Sequence, residues 1–171
     1  NNEGVGIAKR SRVIYYNPIN VSADDMEGLT YEDLSDPKWK GRVAIRSSGN
    51  MYNQSLVASL IANNGVDATE KWAHRFVGNF ARKPEGNDRA QIMAVANGEA
   101  DVAVANSYYI GLMLSGKKGE EQQAAARKVE LHFPGQDGRG AHINVSGAGL
   151  MKNAPNAGNA VKFIEFLLSE E

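Results

Sequence analysis

The stretch Asp101-Val-Ala-Val-Ala-Asn106-Ser107-Tyr108-Tyr109-Ile-Gly111 decides the fold. Its first half is a short apolar run that suits a strand buried on both faces, and from Tyr108 to Leu114 the sequence predicts a helix. A strand that turns directly into a helix is half of a βα repeat. In an open α/β sheet, ligands gather beyond the carboxyl ends of the strands, so this turn aims two phenol oxygens at a crevice. A similar turn, Arg42-Val-Ala-Ile-Arg-Ser-Ser-Gly-Asn-Met-Tyr52, carries a third phenol. Three phenols at such turns point to a site for a hard cation.

Working outward, Val13-Ile-Tyr-Tyr-Asn-Pro18 reads as a strand stopped by proline, preceded by Arg10 and Arg12 at a spacing of two, which is one face of a strand. The region from Asp24 to Trp39 reads as one short helical turn capped by Thr30, with Asp33 at capping-box distance, then a turn at Asp36-Pro37. Gly41 to Ile45 is a second strand candidate. Leu56, Val57, Leu60 and Ile61 recur at helical spacing within Asn53 to Asn63, and Asn63-Asn64-Gly65 supplies a stop. A further helix is expected from Asp67 through Trp72, Phe76 and Phe80. Another follows Pro84-Glu-Gly-Asn87 and closes at Gly98. After a charged helix from Gly119 to Lys128 come a strand at Val129 to Pro134, a glycine-rich loop over Gly135 to Gly140, a long strand from His142 to Leu150, and a last helix, Ala157 to Leu168. Strands alternating with helices of this length need crossover connections. They predict a doubly wound α/β lobe with a mainly parallel or mixed sheet flanked by helices.

Composition narrows the function. With 42% hydrophobic and 23% charged residues and a formal net charge of −1, the 171 residues suit a folded domain without the concentrated basic field of a nucleic-acid surface. Apolar stretches such as Val57 to Ala62 fall far short of the roughly 20 residues of a membrane-spanning helix. The absence of cysteine removes disulfides, thiolate metal sites and a cysteine nucleophile. It suits the oxidising bacterial periplasm without requiring it. The sequence opens at Asn1 with no apolar signal segment, which reads as a processed chain or a piece of a longer one, the latter preferred.

The phenols carry the chemistry. A free phenol has a pKa near 10, so only a strong Lewis acid ionises it at neutral pH, and iron(III) is the biological ion that does so while preferring oxygen donors. The plain alternative is that adjacent tyrosines place one ring in the core and one at the surface, about 100° apart on a helix. Three helix starts also carry small polar residues: Ser47-Ser48-Gly49-Asn50, Gly86-Asn87 and Asn106-Ser107. Free backbone N–H groups there could hold an anion, and the same residues serve equally as ordinary N-caps. His74, His132 and His142 have no metal-ligand spacing. No Gly-x-Ser-x-Gly elbow, Walker loop or catalytic carboxylate pair is present.

At Ile45-Arg-Ser-Ser-Gly-Asn-Met-Tyr-Asn-Gln-Ser-Leu-Val57 and Val104-Ala-Asn-Ser-Tyr-Tyr-Ile-Gly111, the chain closely resembles the periplasmic ferric-ion-binding proteins of bacterial ABC iron transporters, in their all-tyrosine subgroup. Tyr31-Glu-Asp-Leu-Ser-Asp-Pro-Lys-Trp-Lys-Gly-Arg-Val43, Phe80-Ala-Arg-Lys-Pro-Glu-Gly-Asn-Asp88 and Phe133-Pro-Gly-Gln-Asp-Gly-Arg-Gly-Ala-His-Ile-Asn144 support the match. The resemblance implies a type II periplasmic-binding-protein lobe and a non-enzyme that takes up Fe(III) through Tyr52, Tyr108 and Tyr109. It implies a synergistic anion, carbonate or phosphate, held at Ser47, Ser48, Gly49, Asn50, Asn87 and Asn106. Arg10 or Arg12 resembles the arginine that holds carbonate in some members. An inner-membrane ABC permease is the implied partner.

Family members are two-lobed and nearly twice as long. Residues 1–128 are therefore expected to be the carboxyl-terminal lobe, and residues 129–171 a hinge crossing with part of the amino-terminal lobe. Ligands from the rest of that lobe would be absent, which predicts weaker iron binding than in a complete trap. Apolar surface around Val145 to Met151 predicts self-association. Two other readings stay open: a metal-free trap for phosphate, sulfate or thiamine, with the tyrosines stacking or hydrogen-bonding, and an enzyme with a tyrosine nucleophile, against which no suitably spaced general base is present.

Overall fold

The structure is a computed structural model in which residues 4–169 are described. Its elements are β1 (Gly4–Tyr16), α1 (Ala23–Met26), β2 (Val43–Ala44), α2 (Met51–Asn64), α3 (Val66–Val77), α4 (Asp88–Ala96), β3 (Val102–Asn106), α5 (Tyr108–Leu114), α6 (Glu120–Ala126), β4 (Glu130–His132), β5 (Ile143–Gly149) and α7 (Ala157–Leu168). They fall into two compact units, Ser11–His142 on one hand and residues up to Arg10 with those from Ile143 on the other.

The larger unit is built on a mixed sheet in the order β2-β3-β1-β4. β2 and β3 are parallel, with a parallel bridge from Val43 to Phe80, while β1 runs antiparallel to both β3 and β4. The two-residue side-chain period divides the strands cleanly. Ile14, Tyr16, Val43, Val102 and Val104 face a core completed by Leu56, Leu60, Trp72 and Phe76 from α2 and α3. Val13, Tyr15, Ala44, Ala103 and Ala105 face a second core completed by Ile92, Val95, Met113 and Ala125 from α4, α5 and α6. All five residues of β3 are buried, as a strand covered by helices on both sides requires.

Local chemistry explains most boundaries. Gly65, at φ +83°, ends α2 and begins α3 with a backbone conformation that costs glycine little. Gly86, at φ +69°, precedes α4 where an added Cβ would lie 2.7 Å from the Ala90 Cβ. The expected helix through Phe80 stops instead at Val77, because Phe80 leaves the helix to bridge to Val43. The Asp24 to Trp39 region holds more than one turn. Ser22 and Asp25 form a capping box that opens α1, and separate 3₁₀ turns follow at Asp33–Ser35 and Pro37–Trp39. The Thr30 side chain accepts from the Asp33 N–H (3.3 Å), and Asp33 in turn accepts from the Thr30 N–H at 2.8 Å. Where the sequence places a crossing near Val129, the structure pairs Glu130, Leu131 and His132 with Tyr16, Tyr15 and Ile14, so this strand belongs to the larger unit.

In the smaller unit β5 pairs with the start of β1, and Gly147 lies so close that an added Cβ would stand 3.0 Å from the Val5 carbonyl oxygen. α7 contains no buried residue. Val145 (60% exposed), Met151 (78%), Phe163 (60%) and Phe166 (60%) leave this unit with uncovered apolar surface.

Candidate functional site

The junction of β3 and α5 is fixed from below by a buried phenol. Tyr15 is fully buried, and its hydroxyl donates to the carbonyl oxygens of Asn106 (3.0 Å) and Ser107 (3.2 Å). Burial raises its pKa, so it stays a neutral donor. The Ser107 N–H donates to the Ser11 carbonyl at 2.9 Å. With the turn held this way, α5 starts at Tyr108 and both Tyr108 and Tyr109 lie at its first turn. Their rings stand 4.2 Å apart at 31°. Tyr109 rests partly on the α4–α6 core, whereas Tyr108 is 42% exposed.

Tyr52 is the second residue of α2, whose N-cap Asn50 accepts from the Tyr52 N–H at 3.0 Å. The three phenols come together at Tyr108. Desolvation raises the Tyr108 pKa first, with hydrogen bonding and charge repulsion from Tyr109 adding to it, while hydrogen bonds from Tyr52 and Asn106 oppose the rise. The geometry is that of three phenols meeting through Tyr108. An ordinary phenol costs about 4 kcal/mol to ionise at pH 7, which only a strongly bound cation can supply.

A polar network that the sequence reading left out stands beside them. Arg12 continues the Ile14 face of β1 and is paired across the sheet with Asn106 on the Val104 face of β3. Its guanidinium is fully buried and donates to Asp88 Oδ2 (2.7 Å), Asn106 Oδ1 (3.1 Å), Asn53 Oδ1 (2.6 Å) and the Val104 carbonyl (3.2 Å). Burial lowers the Arg12 pKa and Asp88 counters it, so the guanidinium keeps its charge. Asp88, at the start of α4, is also fully buried. It accepts from Arg46 (3.1 Å) and from the Asn106 N–H (2.8 Å) as well. The guanidinium carbons of Arg12 and Arg46 lie 6.0 and 5.9 Å from the centre of the Tyr52 ring, at the outer limit of a cation–π contact. One buried carboxylate thus ties β1, β3, α4 and the turn before α2 into a frame around the phenols. No sequence motif marks it, since Asp88 alone reads as an ordinary acid in a first helical turn.

The other expected site residues divide. Asn50 and Asn87 use their side-chain oxygens as N-caps, Asn87 for the Ala90 N–H at 3.2 Å. Ser47 Oγ accepts from the Gly49 N–H at 3.2 Å, and Ser48 and Gly49 are exposed in the same turn. Asn106 presents its oxygen to Arg12 and also hydrogen-bonds to Tyr108, which opposes the rise of that phenol's pKa. Arg10 belongs to the smaller unit, where it donates to Ser146. The histidines are structural or exposed: His132 meets the Leu29 carbonyl (2.9 Å), His142 meets Ser55 (2.9 Å), and His74 lies on the surface 3.9 Å from Glu70. Among the described residues no three His, Asp or Glu side chains cluster as metal ligands. No helix there is long and apolar enough to cross a membrane.

Residues 5–171 match the family model described as bacterial extracellular solute-binding protein. The chain belongs to that family. This solute-binding chain is 57% identical to iron uptake protein A1 of Synechocystis sp. over 165 residues, covering 96% of this chain and 45% of that protein. Among solved structures, it is similar to Trichodesmium IdiA (FutA) in complex with iron and citrate, at 54% identity and TM-score 0.91, covering 97% of this chain and 52% of that one. It is also similar to the ferric binding protein of Campylobacter jejuni, at 41% identity and TM-score 0.89, covering 98% and 52%. The chain thus spans about half the length of the relatives it matches. Its fold is that of the type II periplasmic binding proteins.

Proposed function

We propose that this chain supplies the phenolate half of a ferric-ion trap, the solute-binding component of an ABC iron transporter, and that Tyr52, Tyr108 and Tyr109 are its metal ligands. The observation that carries the reading is the convergence of the three phenols at Tyr108, which hydrogen-bonds to the other two. The relatives named for iron uptake and ferric binding support the choice of ion.

Each phenol gives up its proton as iron(III) binds and becomes an anionic oxygen ligand. The nearby guanidinium groups of Arg12 and Arg46 offset part of the negative charge so created. Because all four terminal N–H bonds of Arg12 are spent on protein acceptors, its part is to position Asn53, Asn106 and Asp88. An oxygen anion such as carbonate or phosphate completes the coordination. The exposed turn from Ser47 to Gly49 offers it donors.

The unit Ser11–His142 is one lobe, and residues 4–10 with 143–169 belong to the other. The relatives named for iron uptake and ferric binding support a protein that binds and releases its ligand without chemistry on it. It works in the periplasm and hands iron to an inner-membrane permease.

The test is titration of metal-free protein with chelated ferric ion, with and without bicarbonate, following the visible phenolate-to-iron charge-transfer band. We expect a band that saturates at one iron per chain and is lost in Tyr108→Phe. A double variant, Tyr108→Phe with Tyr109→Phe, that bound iron(III) unchanged would overturn the assignment.

A further inference from the structure

Between α2 and α3 lies a cavity of about 440 Å³ that none of the three phenols lines. Its wall is aromatic: Trp72 stacks on Phe76 at 4.7 Å, and Phe76 meets Phe80 edge-on at 5.0 Å. Two cations, Arg46 and Lys83, line the same cavity, and no acidic side chain does. Arg46 gives one terminal nitrogen to Asp88, and 18% of its side chain stays accessible. An oxygen anion is the acceptor that a guanidinium edge or an ammonium fits. The volume lies in the range of small-molecule sites.

From the aromatic wall and the two cations that line it, we infer that this cavity is a second ligand site for a small aromatic carboxylate. Its ring lies against Trp72 and Phe76, and its carboxylate meets the accessible edge of the Arg46 guanidinium and the Lys83 ammonium. Apolar wall supplies affinity and the two cations select for charge, which is the usual division of work in a small-ligand pocket.

Isothermal titration calorimetry on the iron-free protein tests this with 3-phenylpropionate and its neutral analogue 3-phenylpropan-1-ol. Working without iron keeps the outcome independent of the phenolate reading. The acid should bind saturably at one site, at least about tenfold more tightly than the alcohol, the ratio that about 1.4 kcal/mol of charge recognition gives. Lys83→Gln, a change at an exposed residue, should weaken the acid severalfold and leave the alcohol unchanged. Ala73→Leu, which fills the cavity, should abolish both. No saturable heat from the acid, equal affinity for acid and alcohol, or unchanged acid binding in Lys83→Gln would each overturn the proposal. Lys83→Gln decides it even if Ala73→Leu fails to fold.

Discussion

Replacing Asp88 by Asn removes a charge from the most buried polar cluster of the chain and leaves the contacts nearly isosteric. In the wild-type protein Asp88 accepts from Arg12 at 2.7 Å, from Arg46 at 3.1 Å and from the Asn106 N–H at 2.8 Å, with its own side chain and that of Arg12 fully buried. Asn can replace one or two of these hydrogen bonds but not the charge. Breaking a buried pair by removing one partner costs about 3–5 kcal/mol, most of it the stranded guanidinium. At about 2–4 °C per kcal/mol for a chain of this size, the melting temperature should fall by about 6–20 °C. Because the pair is out of solvent, raising salt to 1 M should leave this difference almost unchanged, whereas a surface pair would be screened. A double-mutant cycle sharpens the test. Arg12→Met together with Asp88→Leu should be less destabilising than the sum of the two single changes by more than about 1 kcal/mol, because neither charge is then left alone. Urea unfolding followed by circular dichroism measures all four proteins. A loss below about 1 kcal/mol for Asp88→Asn, or additive single changes, would refute the view that one carboxylate holds the frame together.

Four further outcomes are expected. Iron affinity, measured against a competing chelator at fixed free iron, should fall as pH is lowered from 8 to 6 by up to about tenfold per pH unit for each phenol that must lose a proton; the raised pKa of Tyr108 acts in the direction of stronger proton competition, and a flat profile would exclude phenolate ligation. Tyr15→Phe should lower stability by about 1–3 kcal/mol in thermal unfolding, since it strands the carbonyls of Asn106 and Ser107; a neutral effect would show that the turn holds itself. Burial pushes Tyr31 up to about 12 from the 10.0 of a free phenol, so its contribution is fully present below pH 10 and is lost as the pH rises to about 12. The stability lost across that window should be about 2–3 kcal/mol, read from urea midpoints, and midpoints that stay level would refute it. Light scattering at two concentrations should detect self-association through the exposed Val145, Met151, Phe163 and Phe166, and a constant mass would rule it out.

How much of this was legible in the sequence depends on range. Helices α5 and α7 fall at the residues expected for them, and β3 covers the apolar run expected as a buried strand, ending at Asn106. These segments are bounded by local signals: an apolar run, a capping turn, a glycine or a charged break. Phe80 was misplaced because its helical spacing from Phe76 is a local signal too, overridden by a bridge to Val43 thirty-seven residues away. The short helix α1 went unread although Ser22 and Asp25 form a capping box, because four residues carry too little periodicity to register.

The six tyrosines show the same division within the site. The sequence alone placed Tyr52, Tyr108 and Tyr109 at strand-to-helix turns, and that placement follows from side-chain period and turn chemistry between near neighbours. It could not tell that Tyr15, in an equally plausible position, is buried beneath the turn, nor that Tyr31 donates to the Arg12 carbonyl at 2.7 Å. Nor could it distinguish Arg10 from Arg12, two residues apart on one strand face, whose hydrogen-bond partners belong to different units. The Asp88 frame joins residues separated by 76, 42 and 18 positions. What the sequence determined is therefore the elements and the chemistry each turn carries, because both are set by contacts within a few residues. Only the tertiary structure decided which charges are paired and which phenols meet, because desolvation and pairing depend on what the fold brings alongside.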